Sequence, residues 1–225
     1  MFTTRFQAWV RRNALRLGRL IGRLPVTPNM VTVGGTLITL AAAIVTGFGE
    51  LLAAAVVLAF AGTFDILDGA LARATKKSYP YGAFLDSSMD RIAEAGTYTG
   101  IAAYFLFHAP STLWTRIGVL ACLCAISGSL LVSYVRARAQ SLGFTCDGGL
   151  FQRPERVVAT VAGLLLGSLF GPLWLAGVAG LLAVVTCITA FQRILEVWAQ
   201  AREQRRAARR QQAEVPTGGG QRSAP

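Results

Sequence analysis

The chain has 225 residues, of which 53% are hydrophobic and 15% are charged, and its mean hydropathy is +0.50. Soluble domains are less apolar and carry more charge, so this composition excludes a soluble globular domain and predicts an integral membrane protein. The net charge of +11 does not indicate nucleic-acid binding, because Lys and Arg collect in the cytoplasmic loops of membrane proteins. We therefore expect membrane lipids, and no nucleic acid, as partners.

The first segment, residues 1–24, interleaves arginines with Leu, Ile and Trp at helical spacing. This pattern predicts an amphipathic helix in the membrane interface, with its Arg face toward anionic headgroups. The segment lacks the short apolar core and cleavage site of a signal peptide. Pro25 and Pro28 then interrupt the chain, and Asn29 can cap the next helix.

Six apolar stretches follow, each long enough to cross a hydrocarbon core of about 30 Å as a helix. The predicted spans are roughly 29–47, 51–73, 82–107, 112–141, 153–169 and 173–200. Residues 25–201 are therefore expected to form one six-helix domain, and residues 202–225 a basic, disordered tail. The predicted fold class is an all-α integral membrane protein with six transmembrane helices after the amphipathic helix.

The distribution of positive charge predicts the orientation. With the N-terminus inside, all of the 22 Lys and Arg except Arg116 fall on the inner side or at its boundary. This asymmetry predicts a multi-pass protein of the cell (inner) membrane with both termini in the cytoplasm.

Four aspartates lie at the predicted cytoplasmic mouth of the second and third spans. Asp65 and Asp68 are spaced i, i+3, and Asp86 and Asp90 are spaced i, i+4, so each pair shares one face of its helix. Carboxylates at the edge of a bilayer are costly and usually functional. If the two pairs converge, they form an all-oxygen site suited to hard divalent cations.

The residues between the acids carry a family resemblance. The pattern Asp65-x2-Asp68-Gly69-x2-Ala72-Arg73-x8-Gly82-x3-Asp86-x3-Asp90 resembles the signature of the CDP-alcohol phosphotransferases, and every fixed position of that signature is present. The entry to the first span, from Thr27 to Thr32, is also similar to this family. The resemblance implies an enzyme that displaces CMP from a CDP-linked lipid with the hydroxyl of a second alcohol.

The resemblance also implies roles for individual residues. Asp65, Asp68 and Asp86 would bind one divalent cation, Mg²⁺ or Mn²⁺, and Asp65, Asp86 and Asp90 a second. Asp90 would also act as the catalytic base. The implied contacts to the CDP-lipid are Asn29, Met30, Val31, Thr32, Gly69, Arg73, Tyr79 and Gly82. A homodimer is the expectation for the family.

A second cluster is basic and lies on later segments. Arg136, Arg153, Arg156 and Arg193 are expected to converge beside the metal site. A convergent Arg cluster suits a phosphate dianion better than a neutral alcohol, so it predicts a phosphorylated acceptor. Glu94 extends the face of Asp86 and Asp90 by one turn and is expected to pair with an Arg or to tune the site.

The stretch from Ser133 to Arg156 resembles one branch of the family, the bacterial phosphatidylinositol phosphate synthases, although Arg136 stands where that branch carries Lys. This resemblance implies CDP-diacylglycerol as donor and inositol 1-phosphate as acceptor. Glycerol 3-phosphate as acceptor, and an archaeal-type enzyme with a CDP-archaeol donor, stay open as alternatives. A divalent-cation transporter is the non-enzyme alternative, but it predicts acids near the bilayer midplane and repeated halves.

Overall fold

The computed structural model describes residues 27–75, 80–146, 148 and 153–214, and of residues 65–75 and 211–214 it describes the backbone only. The described residues form six helices and no strand. In chain order these are α1 Pro28–Gly47, α2 Leu51–Thr75, α3 Pro80–Phe107, α4 Leu113–Ser141, α5 Arg153–Phe170 and α6 Pro172–Glu214. The predicted amphipathic helix over residues 1–24 lies outside the described residues.

The helices begin and end close to the predicted positions because their boundaries are local in sequence. Thr27 caps α1, since its side chain accepts a hydrogen bond from the backbone N–H of Met30, and Pro28 occupies the first turn. Gly49 and Gly171 adopt positive φ values of 93° and 98° in the turns after α1 and α5. A glycine reaches this left-handed region without strain, which allows these turns to be tight.

The end of the last helix was predicted too early. The span was expected to end near residue 200, with a disordered tail from 202, but α6 continues to Glu214. The fall in hydropathy after residue 200 marks the end of the apolar part and not the end of the helix. Residues 201–214 consist of Ala, Gln, Glu and Arg, which are strong helix formers. Residues 215–225 lie outside the described residues.

The six helices form a closed ring. Among the described residues, the principal contacts run from α1 to α3, α3 to α4, α4 to α6, α6 to α5, α5 to α2 and α2 back to α1. Each helix therefore packs on two neighbours, and α3 and α5 face each other across the ring. The interior is filled by buried apolar side chains that include Leu58, Ile101 and Leu182.

Helices α1 and α3 approach each other closely at glycines of α3. A Cβ on Gly100 would lie 2.2 Å from the carbonyl oxygen of Ala43, and one on Gly96 would lie 2.4 Å from Leu40 Cδ2. Small residues at such contacts let two helix backbones pack directly. This packing fixes α3, which carries Asp86 and Asp90, against the first helix.

Three helices are long and apolar enough to cross a membrane by length and composition, namely α1, α4 and the Pro172–Arg210 part of α6. The described apolar part of α2, Leu51–Phe64, is shorter. Charged residues occupy the first part of α3 and of α5, where the candidate site lies. The described chain is thus an all-helical protein of membrane type, and the predicted six crossings stay a prediction.

Candidate active site

One end of the ring carries most of the predicted site residues. The N-terminus of α1 lies against the N-terminus of α3, because a Cβ on Gly82 would lie 3.3 Å from Asn29 Oδ1. The first turn of α5 reaches the same part of α3 through an ion pair of Arg153 Nη1 with Asp90 Oδ1 at 2.9 Å. These contacts bring residues from three different helices to one mouth.

Two of the four aspartates have described side chains. Asp86 is exposed, and Asp90, one turn later on α3, keeps 16% of its side chain exposed. Asp65 and Asp68 lie on the continuous helix α2, which confirms their helical spacing, but their side chains lie outside the described part. The same holds for Gly69 and Arg73, and Tyr79 lies outside the described residues altogether.

The described donor set is compatible with divalent cations. Two carboxylates one turn apart on α3 offer the hard oxygen ligands that Mg²⁺ and Mn²⁺ prefer. No group of three potential metal ligands occurs within the described residues. The side chains of Asp65 and Asp68 lie outside this described part.

Two acids of α3 meet two arginines of α5 across the ring. Asp90 pairs with Arg153 at 2.9 Å, and Glu94 Oε1 pairs with Arg156 Nε at 2.7 Å. A second contact joins Arg156 Nη2 to Glu94 Oε2 at 3.3 Å. The i, i+4 spacing of the acids on α3 therefore matches the i, i+3 spacing of the arginines on α5. This pairing fulfils the expectation that Glu94 binds an Arg.

Arg91 joins this network, although no sequence argument had singled it out. Its guanidinium lies 3.7 Å from Asp90 Oδ2 and 3.4 Å from Glu94 Oε2, and it donates a hydrogen bond to Ser133 of α4. Its i, i+3 spacing to Glu94 was the one feature of the sequence that could have indicated an ion pair. Arg91 therefore links the two acids to each other and to α4.

Arg193 has a different environment from the other predicted phosphate ligands. Its Nε donates to the carbonyl of Gly148 at 2.9 Å, and its Nη1 donates to the carbonyl of Val132 at 2.8 Å. These bonds tie α6 to α4 and to the loop before α5. Arg136 and Arg156 add repulsive positive charge at Arg193, and their convergence on one phosphate stays a prediction.

The predicted CDP-lipid contacts on α1 also lie at this mouth. Met30 is exposed, Val31 is buried, and Thr32 donates a hydrogen bond from its hydroxyl to the carbonyl of Pro28 at 3.2 Å. The N-terminal turn of a helix presents backbone N–H groups and a positive dipole end, which suit an anionic ligand.

A narrow cavity of about 30 Å³ lies deeper in the ring, next to the paired acids and arginines. Its walls come from four helices, and its polar side chains include Thr97 and Tyr98 of α3 and Thr160 of α5. This volume accommodates a water molecule and not a lipid or a sugar.

Comparison with known proteins identifies the family. The family model of the CDP-alcohol phosphatidyltransferases matches residues 25–199. The chain belongs to the CDP-alcohol phosphatidyltransferase family. This membership confirms the resemblance seen in the aspartate pattern, and it makes the protein a phospholipid-synthesising transferase by family.

Relatives with assigned activities cover most of the chain. The archaetidylinositol phosphate synthase of Methanothermobacter thermautotrophicus is 36% identical over 78% of this chain and 85% of its own length. The phosphatidylinositol phosphate synthase of Mycobacteroides abscessus is 37% identical over 76% of this chain and 77% of its own length. Both branches considered from the sequence are therefore represented at similar identity.

Solved structures agree with this phosphatidyltransferase family assignment. The phosphatidylinositol phosphate synthase of Mycobacterium tuberculosis with CDP-DAG bound is 35% identical, with a TM-score of 0.75 over 83% of this chain and 94% of that one. A structure of the same enzyme in complex with manganese and citrate matches with a TM-score of 0.75 over 82% of this chain and 88% of that one.

Proposed function

We propose that this protein transfers the phosphatidyl group of CDP-diacylglycerol to the hydroxyl of inositol 1-phosphate, producing phosphatidylinositol phosphate and CMP. The observation that carries the proposal is the ion pairing of Arg153 and Arg156 with Asp90 and Glu94. It assembles a basic cluster directly beside the predicted metal carboxylates. Guanidinium groups recognise phosphate through paired hydrogen bonds, so this arrangement favours a phosphorylated acceptor.

The donor is held by residues of α1, α2 and α3 in this proposal. Asp65, Asp68, Asp86 and Asp90 would hold two divalent cations, which neutralise the pyrophosphate charge of the CDP-lipid. Asn29 to Thr32, Gly69, Arg73, Tyr79 and Gly82 are the proposed contacts to the CDP moiety. The M. tuberculosis relative, solved once with CDP-DAG and once with manganese and citrate, supports a CDP-lipid donor and a divalent cation.

The acceptor is bound and activated on the other side of Asp90. Arg136, Arg153, Arg156 and Arg193 are proposed to bind its phosphate, and Asp90 to accept the proton from the attacking hydroxyl. Asp90 and Arg153 are already in contact, so the base and a phosphate ligand are adjacent. The contacts of Arg193 with two backbone carbonyls indicate that it also shapes the pocket.

We further propose six membrane crossings, with both termini and the active site on the cytoplasmic side of the cell membrane. The charge distribution along the sequence supports this orientation. The amphipathic helix over residues 1–24 and the homodimer stay predictions.

The archaeal-type reaction is the second candidate, because the archaetidylinositol phosphate synthase is about as similar to this chain as the bacterial enzymes are. The glycerol 3-phosphate reaction shares the donor and the same kind of acceptor phosphate. The cation-transporter alternative has lost its support, since the family match covers residues 25–199.

A parallel transfer assay tests the proposal. The purified protein would be supplied with radiolabelled CDP-diacylglycerol and, separately, with inositol 1-phosphate, glycerol 3-phosphate, inositol or serine; a CDP-archaeol series would run beside it. We expect lipid product with inositol 1-phosphate, loss of turnover with a chelator, and recovery with Mg²⁺ or Mn²⁺. Product with free inositol or serine alone would refute the phosphorylated acceptor, and turnover unaffected by a chelator would refute the metal requirement.

A further inference from the structure

Glu94 is the acid of the network that lies outside the aspartate pattern. Its side chain is only 10% exposed, and the Arg156 side chain that it binds is only 5% exposed. Both carboxylate oxygens are engaged: Oε1 contacts Arg156 Nε at 2.7 Å, and Oε2 contacts Arg156 Nη2 at 3.3 Å and Arg91 Nη1 at 3.4 Å. A carboxylate this deeply buried is costly unless its charge is compensated, and here two arginines compensate it.

The geometry of this contact fixes the orientation of Arg156. Arg156 binds Glu94 through one hydrogen bond, from Nη2 to Oε2, and through one close ion-pair contact, between Nε and Oε1. Two contacts at adjacent nitrogens of a planar guanidinium limit its rotation. Glu94, on the opposite helix of the ring, therefore restricts the direction of the Arg156 guanidinium. Arg91 contacts the same carboxylate, so Glu94 binds two cations.

Glu94 and Asp90 have different expected roles in this network of charged residues. Three arginines, at positions 91, 153 and 156, share these two acids. Asp90 is the proposed base and metal ligand, so its charge is needed for the donor half of the reaction. Glu94 is one helical turn further along α3 and contacts arginines from two helices. Removing its charge would leave Arg91 and Arg156 repelling each other at short range.

We propose that Glu94 is a positioning residue that holds Arg156 in place for the phosphate of the acceptor. The proposal rests on the proposed function, because it assigns Glu94 to the acceptor side of that same site. It predicts that Glu94 acts on acceptor binding through Arg156 and leaves the binding of the CDP-lipid unchanged. A purely structural brace between α3 and α5 would instead affect both substrates and the stability alike.

Steady-state kinetics of Glu94→Gln in the full-length protein test this assignment. Gln keeps the shape and one hydrogen-bond acceptor but removes the charge. We expect the KM for inositol 1-phosphate to rise roughly 10- to 100-fold, as a misplaced binding group commonly causes, with the KM for CDP-diacylglycerol within about twofold of wild type. Glu203→Gln, which removes an exposed acid from α6, serves as the control and should leave both constants unchanged.

A double-mutant cycle with Arg156→Gln tests whether Glu94 acts through Arg156. If it does, the double variant should have nearly the same acceptor KM as Arg156→Gln alone, because the effects of residues in one network are not additive. Fully additive effects would overturn the proposal. Glu94→Asp, which keeps the charge on a shorter side chain, is the second variant if Glu94→Gln does not fold, and an acceptor KM between those of wild type and Arg156→Gln is expected.

The outcomes distinguish this inference from the proposed function. Wild-type protein that produces no lipid from any phosphorylated alcohol would refute the proposed function. Active wild type combined with a Glu94→Gln variant that raises both KM values equally, or that lowers only the thermal denaturation midpoint, would refute the role of Glu94 alone.

Discussion

At the scale of single residues, Asp90 is the point where the two halves of the proposed reaction meet. It lies on the predicted metal-binding face of α3 and pairs with Arg153 at 2.9 Å. Replacing Asp90 with Asn removes the proton acceptor and a charged metal ligand but keeps the shape of the side chain. We expect Asp90→Asn to lower turnover roughly 100-fold or more, while CDP-diacylglycerol still binds. Single-turnover assays and direct measurement of donor binding check this expectation.

A matched control for Asp90→Asn is Thr99→Ala, because Thr99 is exposed on the same helix and its hydroxyl bonds only within α3, to Ala95. Wild-type turnover in Asp90→Asn would contradict the assignment of Asp90 as base. Loss of donor binding in that variant would instead place Asp90 mainly on the donor side.

The aspartate pattern could be found from the sequence because its spacing is local to two helices. The partners of these acids could not be found from the sequence. The pairing of Asp90 with Arg153, and of Glu94 with Arg156, depends on the relative height of α3 and α5 across the ring. Arg91 was not singled out although its i, i+3 spacing to Glu94 is local, and its contact with Ser133 on α4 is visible only in the folded chain. Arg193 was predicted as a phosphate ligand, which stays a prediction, and its bonds to two backbone carbonyls are visible only in the folded chain.

At the scale of helices, the contact of α1 with α3 sets the position of Asp86 and Asp90. A Cβ on Gly100 would meet the backbone of Ala43, which cannot move without displacing α1. We expect Gly100→Ala to lower the thermal denaturation midpoint and the turnover, because overpacking costs roughly 1–3 kcal/mol and shifts α3. Gly34→Ala on α1 is the control, since no atom lies within 4 Å of its added Cβ. Equal midpoints in the two variants would show that this contact is not tight.

The helices themselves were largely predictable, and the reasons are visible at their ends. Pro28, the glycine turn at Gly47–Gly49 and the Gly171–Pro172 step mark boundaries that any sequence reading detects. The end of α6 was missed because hydropathy reports the environment of a helix and not its length. With 43 residues, α6 extends about 64 Å at 1.5 Å per residue, about twice the hydrocarbon thickness.

At the scale of the whole molecule, the composition of the helices bears on the number of membrane crossings. Within the described part of the chain, only α1, α4 and part of α6 are both long and apolar enough to cross a membrane. The other helices form the same closed ring, however, and each packs on two neighbours. The charged residues of α3 and α5 lie at one end, where the ion pairs of Asp90 with Arg153 and of Glu94 with Arg156 compensate charge. A ring of this kind buries the polar surface that an isolated span could not carry.

Topology mapping distinguishes six crossings from three. Six crossings place both termini on the same side of the membrane, whereas three place them on opposite sides. We expect reporters fused to the two ends of the chain to be cytoplasmic, and a reporter inserted between His108 and Ser111 to be external, because Arg116 is the one basic residue expected outside. The insertion variant should retain transfer activity, which shows that its topology is native. Reporters at the two ends that fall on opposite sides would contradict the six-crossing arrangement and leave the aspartates without a defined cytoplasmic position.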